Sequence, residues 1–177
     1  MREHARDDRG LWRKALVTVP LIVITGSLIG YLSDSGFSNA WYAPLEKPSF
    51  QPPGWAFGVT WTALYTMMGI AVAAILNEPP SRQRTLAVTL FAAQLALNFA
   101  WSPIFFGGGM IDAGLLVILG MDVLVTMTII AFWKIRPLAG ALLIPYLAWL
   151  CLATALNHET GRLNPGADKA PLGITGA

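Results

Sequence analysis

Five apolar runs constrain this chain more than any other feature. They cover residues 15–33, 55–76, 86–106, 113–133 and 138–157. Each is roughly 20 residues long, which at about 1.5 Å per helical residue matches a hydrocarbon core of about 30 Å. No strand-like alternation runs through them, and a backbone in lipid must satisfy its own hydrogen bonds, so helices are required. Only 12% of the 177 residues are charged against 55% hydrophobic, whereas soluble domains carry about 25% charge. The expected fold is therefore an all-α integral membrane protein, a bundle of five transmembrane helices.

This reading divides the chain into a flexible basic N-terminal arm (1–14), the membrane domain (15–157) and a short polar C-terminal tail (158–177). The tail is Gly- and Pro-rich after Asn164 and is expected to be poorly ordered. The first apolar run exceeds the 7–15 residues of a signal-peptide core and no A-x-A site follows, so it reads as an uncleaved helix.

Basic residues set the orientation. Arg2, Arg6, Arg9, Arg13 and Lys14 precede the first helix, Arg82 and Arg84 join the second and third, and Lys134 and Arg136 join the fourth and fifth. The other side holds Lys47, Arg162 and Lys169. That bias places the N-terminus inside and the C-terminus outside. The absence of a cleavable signal favours a bacterial cytoplasmic membrane. A net charge of +2 without an aromatic-interleaved basic patch gives no footprint for nucleic acid. The single cysteine, Cys151, excludes an internal disulfide and any cysteine-built metal cage.

Residues 41–65, WYAPLEKPSFQPPGWAFGVTWTALY, form an unusual connection between the first two helices. Pro44, Pro48, Pro52 and Pro53 fix φ and remove donors, so they stiffen the segment into one non-helical path. Such a stiff aromatic loop, carrying the charged pair Glu46 and Lys47, could cap a site for a large, flat, mostly apolar ligand. Three helix faces agree. Gln94, Asn98, Trp101 and Ser102 share one face of helix three and should point inward, because amides are costly in hydrocarbon. Trp61, Tyr65 and Met68 share a stripe on helix two, and Tyr146, Trp149, Ala153 and Asn157 one on helix five. Alone, an aromatic stripe is ordinary core packing; combined with the amide face and the loop, the stripes point to a pocket between helices.

Other signals stay open at this level. Gly26 and Gly30 form a GxxxG, which reads either as a close helix–helix crossing or as chance, and Ala92, Ala96 and Ala100 form a small-residue ridge that can seat a neighbouring helix or a second protomer. Asp122 lies mid-membrane with no basic residue at its depth, so it needs a proton, a hydroxyl or an amide. Asp112 reads as a helix N-terminal acid favoured by the dipole. Pro103 should bend the end of helix three.

The strings WYAPLEKPSFQPPGWAFGVTWTALY, QLALNFAWSPIFF and PYLAWLCLATALN followed by RLN, with Asp122, resemble the TspO/MBR family of tryptophan-rich sensory and translocator proteins. The resemblance spans residues 15–165, in order, with the five-helix layout. It implies a commonly dimeric bundle with no covalent cofactor that binds a porphyrin, protoporphyrin IX or haem. Transferred by position, the ligand-binding residues are Trp41, Tyr42, Trp61, Asn98, Trp149, Ala153 and Leu156, while Pro48, Pro52 and Pro53 shape the lid; the helix faces themselves make Gln94, Ser102 and Asp122 the polar residues within the bundle. An outer membrane is also compatible with the resemblance. Animal members carry a cholesterol-recognition pattern with a central Tyr at the end of helix five. Here residues 156–162, LNHETGR, have His158 and no Tyr, so sterol binding is not expected. His158 reads as a hydrated interfacial side chain.

Three function classes compete. The first is a membrane tetrapyrrole sensor or carrier in porphyrin handling and stress or pigment regulation. The second is a light-dependent porphyrin-degrading enzyme using Trp61 and Trp149, and the third an ion-coupled transporter using Asp122. No catalytic residues or metal ligands are assigned: Ser102 and Asp122 have no His at matching depth to complete a triad. Inverted repeats and paired broken helices are also not visible. Binding without dedicated turnover is the leading expectation.

Overall fold

A computed structural model describes residues 8–175. Six helices follow in order: α1 (Asp8–Leu32), α2 (Gly54–Leu76), α3 (Arg82–Ser102), α4 (Ile111–Ile135), short α5 (Pro137–Ala141) and α6 (Ile144–Leu163). Five segments are long and apolar enough to cross a membrane, α5 and α6 together forming the fifth (Pro137–Leu163). Among the described residues there is no strand. The chain is an all-α, multi-pass integral membrane protein.

The bundle is apolar on both sides. Its interior is closed by Met68, Ile75, Ile118, Met121, Val125, Phe132, Leu143 and Leu150. Its outer faces expose Leu16, Leu21, Ile24, Leu28, Leu116, Val123 and Ile130. In water such a surface would aggregate; in lipid it is the solvated one. α1 lies along α2, α3 along α4, and α4 along α6. At Gly69 α2 presses on the α1 backbone itself: a Cβ there would stand 2.7 Å from the Val19 Cα. The Thr18 hydroxyl donates there to the Gly69 carbonyl at 2.7 Å. Of the GxxxG, Gly26 also packs against α2, where a Cβ would clash with the Tyr65 ring, while a Cβ on Gly30 would meet nothing within 4 Å.

Helix ends depart from the apolar runs for local reasons. α1 begins at Asp8, so residues 9–14, assigned above to the flexible arm, form its opening turns; residues 1–7 lie outside the described residues. Leu11 and Ala15 are buried, and Lys14 Nζ donates to Asn77 Oδ1 at 2.6 Å. Hydropathy misses this extension because long basic side chains can bury their stems while the charged heads stay wet. The last helix runs to Leu163, six residues beyond the apolar run. It is broken after Ala141, where Pro145 has no N–H to give the preceding turn. Pro103 acts similarly on α3, which leaves the α geometry in one turn of π-helix, Pro103–Gly107, closed by Gly108 N donating to Pro103 O at 2.8 Å.

The segment after Asn164 is structured as far as Thr175, contrary to the expectation of disorder. The Asp112 carboxylate accepts from the backbone N–H groups of Leu172, Ile174 and Thr175 and from the Thr175 hydroxyl. Asp112 therefore does more than complement a helix dipole: it is fully buried and holds the tail.

Candidate functional site

The α1–α2 loop is built largely by side chains bonding backbone. The Asn39 side-chain oxygen accepts from the N–H groups of Trp41 (3.0 Å) and Tyr42 (2.9 Å). Lys47 forms no ion pair with Glu46 among the described residues. Its ammonium donates instead to the carbonyls of Tyr42 (2.7 Å), Leu45 (2.5 Å) and Ala43 (3.2 Å), and stands 4.4 Å from the Tyr42 ring centre. Partial burial draws that ammonium below the usual lysine range, and burial pushes the Tyr42 phenol above its own. Gln51 Nε2 donates to the Tyr42 oxygen at 2.8 Å, and Pro48 O accepts from Gln51 N at 3.0 Å. Pro53 is extended (φ −62°, ψ 149°) and delivers the chain into α2 at Gly54.

Beneath this loop lies a cavity of about 810 Å³, in the upper part of the roughly 300–1,000 Å³ range of small-molecule sites. α2 contributes Phe57, Trp61 and Tyr65; α3 contributes Asn98, Trp101 and Ser102; α6 contributes Trp149, Ala153 and Leu156. Tyr42 and Gln51 from the loop, and Phe105 and Phe106 from the π turn, also line it. The Phe57 and Trp149 rings meet edge-to-face with centres 5.5 Å apart. Trp61 lies 5.2 Å from Tyr65, tilted by 35°. These walls suit a planar apolar ligand.

Asn98 supplies the organised polar group. Its side-chain oxygen accepts from the Tyr65 hydroxyl at 2.8 Å, and its amide nitrogen donates to the Tyr146 oxygen at 2.9 Å. Three helices are thereby fixed by one buried amide, the arrangement expected of a polar residue kept in hydrocarbon. Asn157 Nδ2 donates to the Ile111 carbonyl at 2.9 Å.

Six of the seven residues transferred by position, Tyr42, Trp61, Asn98, Trp149, Ala153 and Leu156, line this one cavity. Trp41 stands behind the wall: its indole N–H donates to the Ala167 carbonyl at 3.1 Å, and its ring packs edge-on against Phe105 at 5.4 Å. Pro48, Pro52 and Pro53 do not line the cavity, but their neighbours Gln51 and Gly54 do. Ser102 lines it; Gln94 and Asp122 do not. Gln94 is buried away from the cavity. Asp122 accepts from the Thr154 hydroxyl at 2.8 Å, the hydroxyl partner its depth demanded. His158 is exposed and does not reach the cavity. Among the described residues no three His, Cys, Asp or Glu side chains gather to hold a metal.

The sequence reading missed Phe57, Phe105 and Phe106. Phe57 was legible, four residues before Trp61 on the same stripe. Phe105 and Phe106 were not, because the π turn that aims them follows neither helical nor strand periodicity.

Comparison with known proteins places the chain in a family by sequence. The profile of the TspO/MBR family matches residues 16–163. The chain is 39% identical over 129 residues to protein CrtK of Rhodobacter capsulatus, covering 72% of this chain and 81% of that protein. It is 38% identical over 143 residues to the human translocator protein, covering 80% and 85%. It is 41% identical over 126 residues to the tryptophan-rich sensory protein of Cereibacter sphaeroides, covering 71% and 78%. A five-span bundle with an aromatic cavity, matched along nearly all its spans, identifies the lineage: this chain belongs to the TspO/MBR family.

Proposed function

We propose that this protein binds a tetrapyrrole, protoporphyrin IX or haem, within the membrane and acts as a sensor or carrier in porphyrin handling and pigment or stress regulation. The carrying observation is the aromatic cavity of about 810 Å³, walled by Trp61, Trp149, Phe57 and Tyr65 and anchored by Asn98. Flat π-systems gain from offset and edge contacts with such rings. The wall also carries few ionisable groups, as suits a largely apolar macrocycle. The α1–α2 loop serves as the lid. Names of relatives, translocator protein and tryptophan-rich sensory protein, accord with a ligand-handling role. His158 is turned away from the cavity, so retention rests on ring packing and the Asn98 amide rather than on that imidazole.

The proposal includes a homodimer formed across α3, where Ala92 and Ala96 face outward and leave a shallow surface for a second protomer. It includes a cytoplasmic membrane with the N-terminus inside. The test is titration of detergent-purified protein with a tetrapyrrole panel, followed by tryptophan fluorescence. Saturable quenching by protoporphyrin IX is expected; no saturable binding by any member would overturn the reading.

A light-dependent degrading activity is the second reading, favoured by one observation: Trp61 and Trp149, both oxidisable indoles, line the same cavity.

A further inference from the structure

We propose that residues 164–175 form a latch over the α1–α2 loop, locked by Asp112 and Asp168, and that its release sets how fast ligand enters and leaves the cavity. This rests on the proposed ligand-binding role and adds a control element outside the cavity itself.

The lock is reciprocal. Asp112 N donates to Asp168 Oδ2 at 2.7 Å, while Asp168 Oδ1 accepts from Ala170 N at 2.9 Å. Asp112 Oδ2 accepts from Leu172 N (2.8 Å) and Ile174 N (3.1 Å). Asp112 Oδ1 accepts from Thr175 N (3.1 Å) and the Thr175 hydroxyl (2.7 Å). Lys169 N donates to Gly109 O at 3.0 Å. Gly109 has φ +67° and could carry no side chain there without striking the Lys169 stem and the Trp41 ring. Gly161 likewise leaves the space that Thr175 fills. A fully buried carboxylate with four donors is an expensive arrangement to assemble for an inert tail.

The same segment grips the loop. Asn164 Oδ1 accepts from Glu46 N at 2.7 Å, and Asn164 Nδ2 donates to Glu46 O at 2.9 Å. Ala167 O accepts the Trp41 indole N–H. Trp41 and Ala167 pack on the small cluster of Tyr42, Phe105 and Ile111, and Tyr42 and Phe105 face the cavity. Force on the tail therefore reaches the cavity wall through one layer of side chains. The loop cannot lift as a unit until Asn164 and Ala167 let go. Ala167 is held beside Asp168 by the Asp112 N–H, and Asn164 is seated on the end of α6, where its Nδ2 also donates to the Thr160 carbonyl at 2.8 Å. Gating of this kind changes entry and exit rates together, because both pass through the same opened state.

Asp112→Asn tests it in the full chain in detergent. The amide keeps the shape but turns an NH2 toward the donors of residues 172–175. Because Asp112 N would still donate to Asp168, Asp168→Ala is combined with it, so that the bond beside Ala167 is lost as well. Amide exchange at Leu172, Ile174 and Thr175 should rise about tenfold, and with it exchange at Glu46 in the loop. Protoporphyrin IX association and dissociation rates should both rise several-fold while Kd stays nearly constant. Asn164→Ala cuts the two Glu46 bonds without touching α4, and should loosen the loop and speed both rates even if the double variant does not fold. A loosened tail with wild-type exchange at Glu46, or a loosened loop with unchanged ligand rates, overturns the latch. Failure of wild-type protein to bind protoporphyrin IX defeats the ligand assignment instead, and Glu46 exchange in both variants then decides the latch alone.

Discussion

The Tyr65 hydroxyl donates to Asn98 Oδ1 at 2.8 Å across the α2–α3 interface. Because the Asn98 amide nitrogen also donates to Tyr146, a single side chain holds three spans and faces the cavity. Asn98→Leu leaves two buried hydroxyls short of a partner. We expect a loss of about 1–3 kcal/mol in unfolding free energy, measured by denaturant titration in detergent. Tyr65→Phe, which removes one bond, should cost less. Equal stability of Asn98→Leu and wild type would show that the network does not hold the bundle.

Ala153 lines the cavity one turn from Trp149 on α6. Ala153→Leu should fill ligand space while adding apolar surface. Porphyrin affinity should fall by about tenfold, near 1.4 kcal/mol, with folding retained. Unchanged affinity in a folded variant would move the ligand out of this cavity.

Trp61 and Trp149 separate binding from turnover. Either Trp→Phe change keeps an aromatic wall but removes the indole N–H and its ready oxidation. If the protein binds without catalysing, each should weaken affinity by about 1 kcal/mol, and illuminated porphyrin should bleach equally in all forms. We expect that outcome. A defined product formed by wild type in light, and lost in either variant at saturating ligand, would establish the enzymatic reading.

Gly69 and Gly30 make opposite predictions although both are glycines in spanning helices. A Cβ at Gly69 would press on Val19 backbone, which cannot rotate away, whereas one at Gly30 meets nothing within 4 Å. Gly69→Ala should cost about 1–3 kcal/mol and Gly30→Ala less than about 0.5 kcal/mol in the same unfolding assay. Equal effects would place the α1–α2 contact elsewhere.

Orientation is testable by fusion. Lys14 bonds Asn77 and Arg136 lies 3.9 Å from Glu78, so the start of α1, the α2–α3 turn and the α4–α5 joint share one end of the bundle. A phosphatase active only outside the cytoplasm should work when fused after Ala177 and not before Met1. The reverse pattern would invert the assignment.

The linear chain determined the spans, because hydrocarbon thickness acts on local runs of about 20 residues and needs no knowledge of neighbours. It also determined most of the cavity wall: Trp61, Trp149, Ala153 and Asn98 stand on regular helices, where spacing reports the face. Tertiary structure alone decided what lies outside that regularity. The π turn after Pro103 brings Phe105 and Phe106 to the cavity and leaves Trp41 behind them. The Glu46–Lys47 neighbours do not pair, because three loop carbonyls surround the ammonium more closely than the adjacent carboxylate does. The polar tail is ordered because Asp112, 56 residues before Asp168 in the chain, offers buried oxygens to its amides. Periodicity carries no information about partners so distant, since only folding brings the donor and acceptor to the same place.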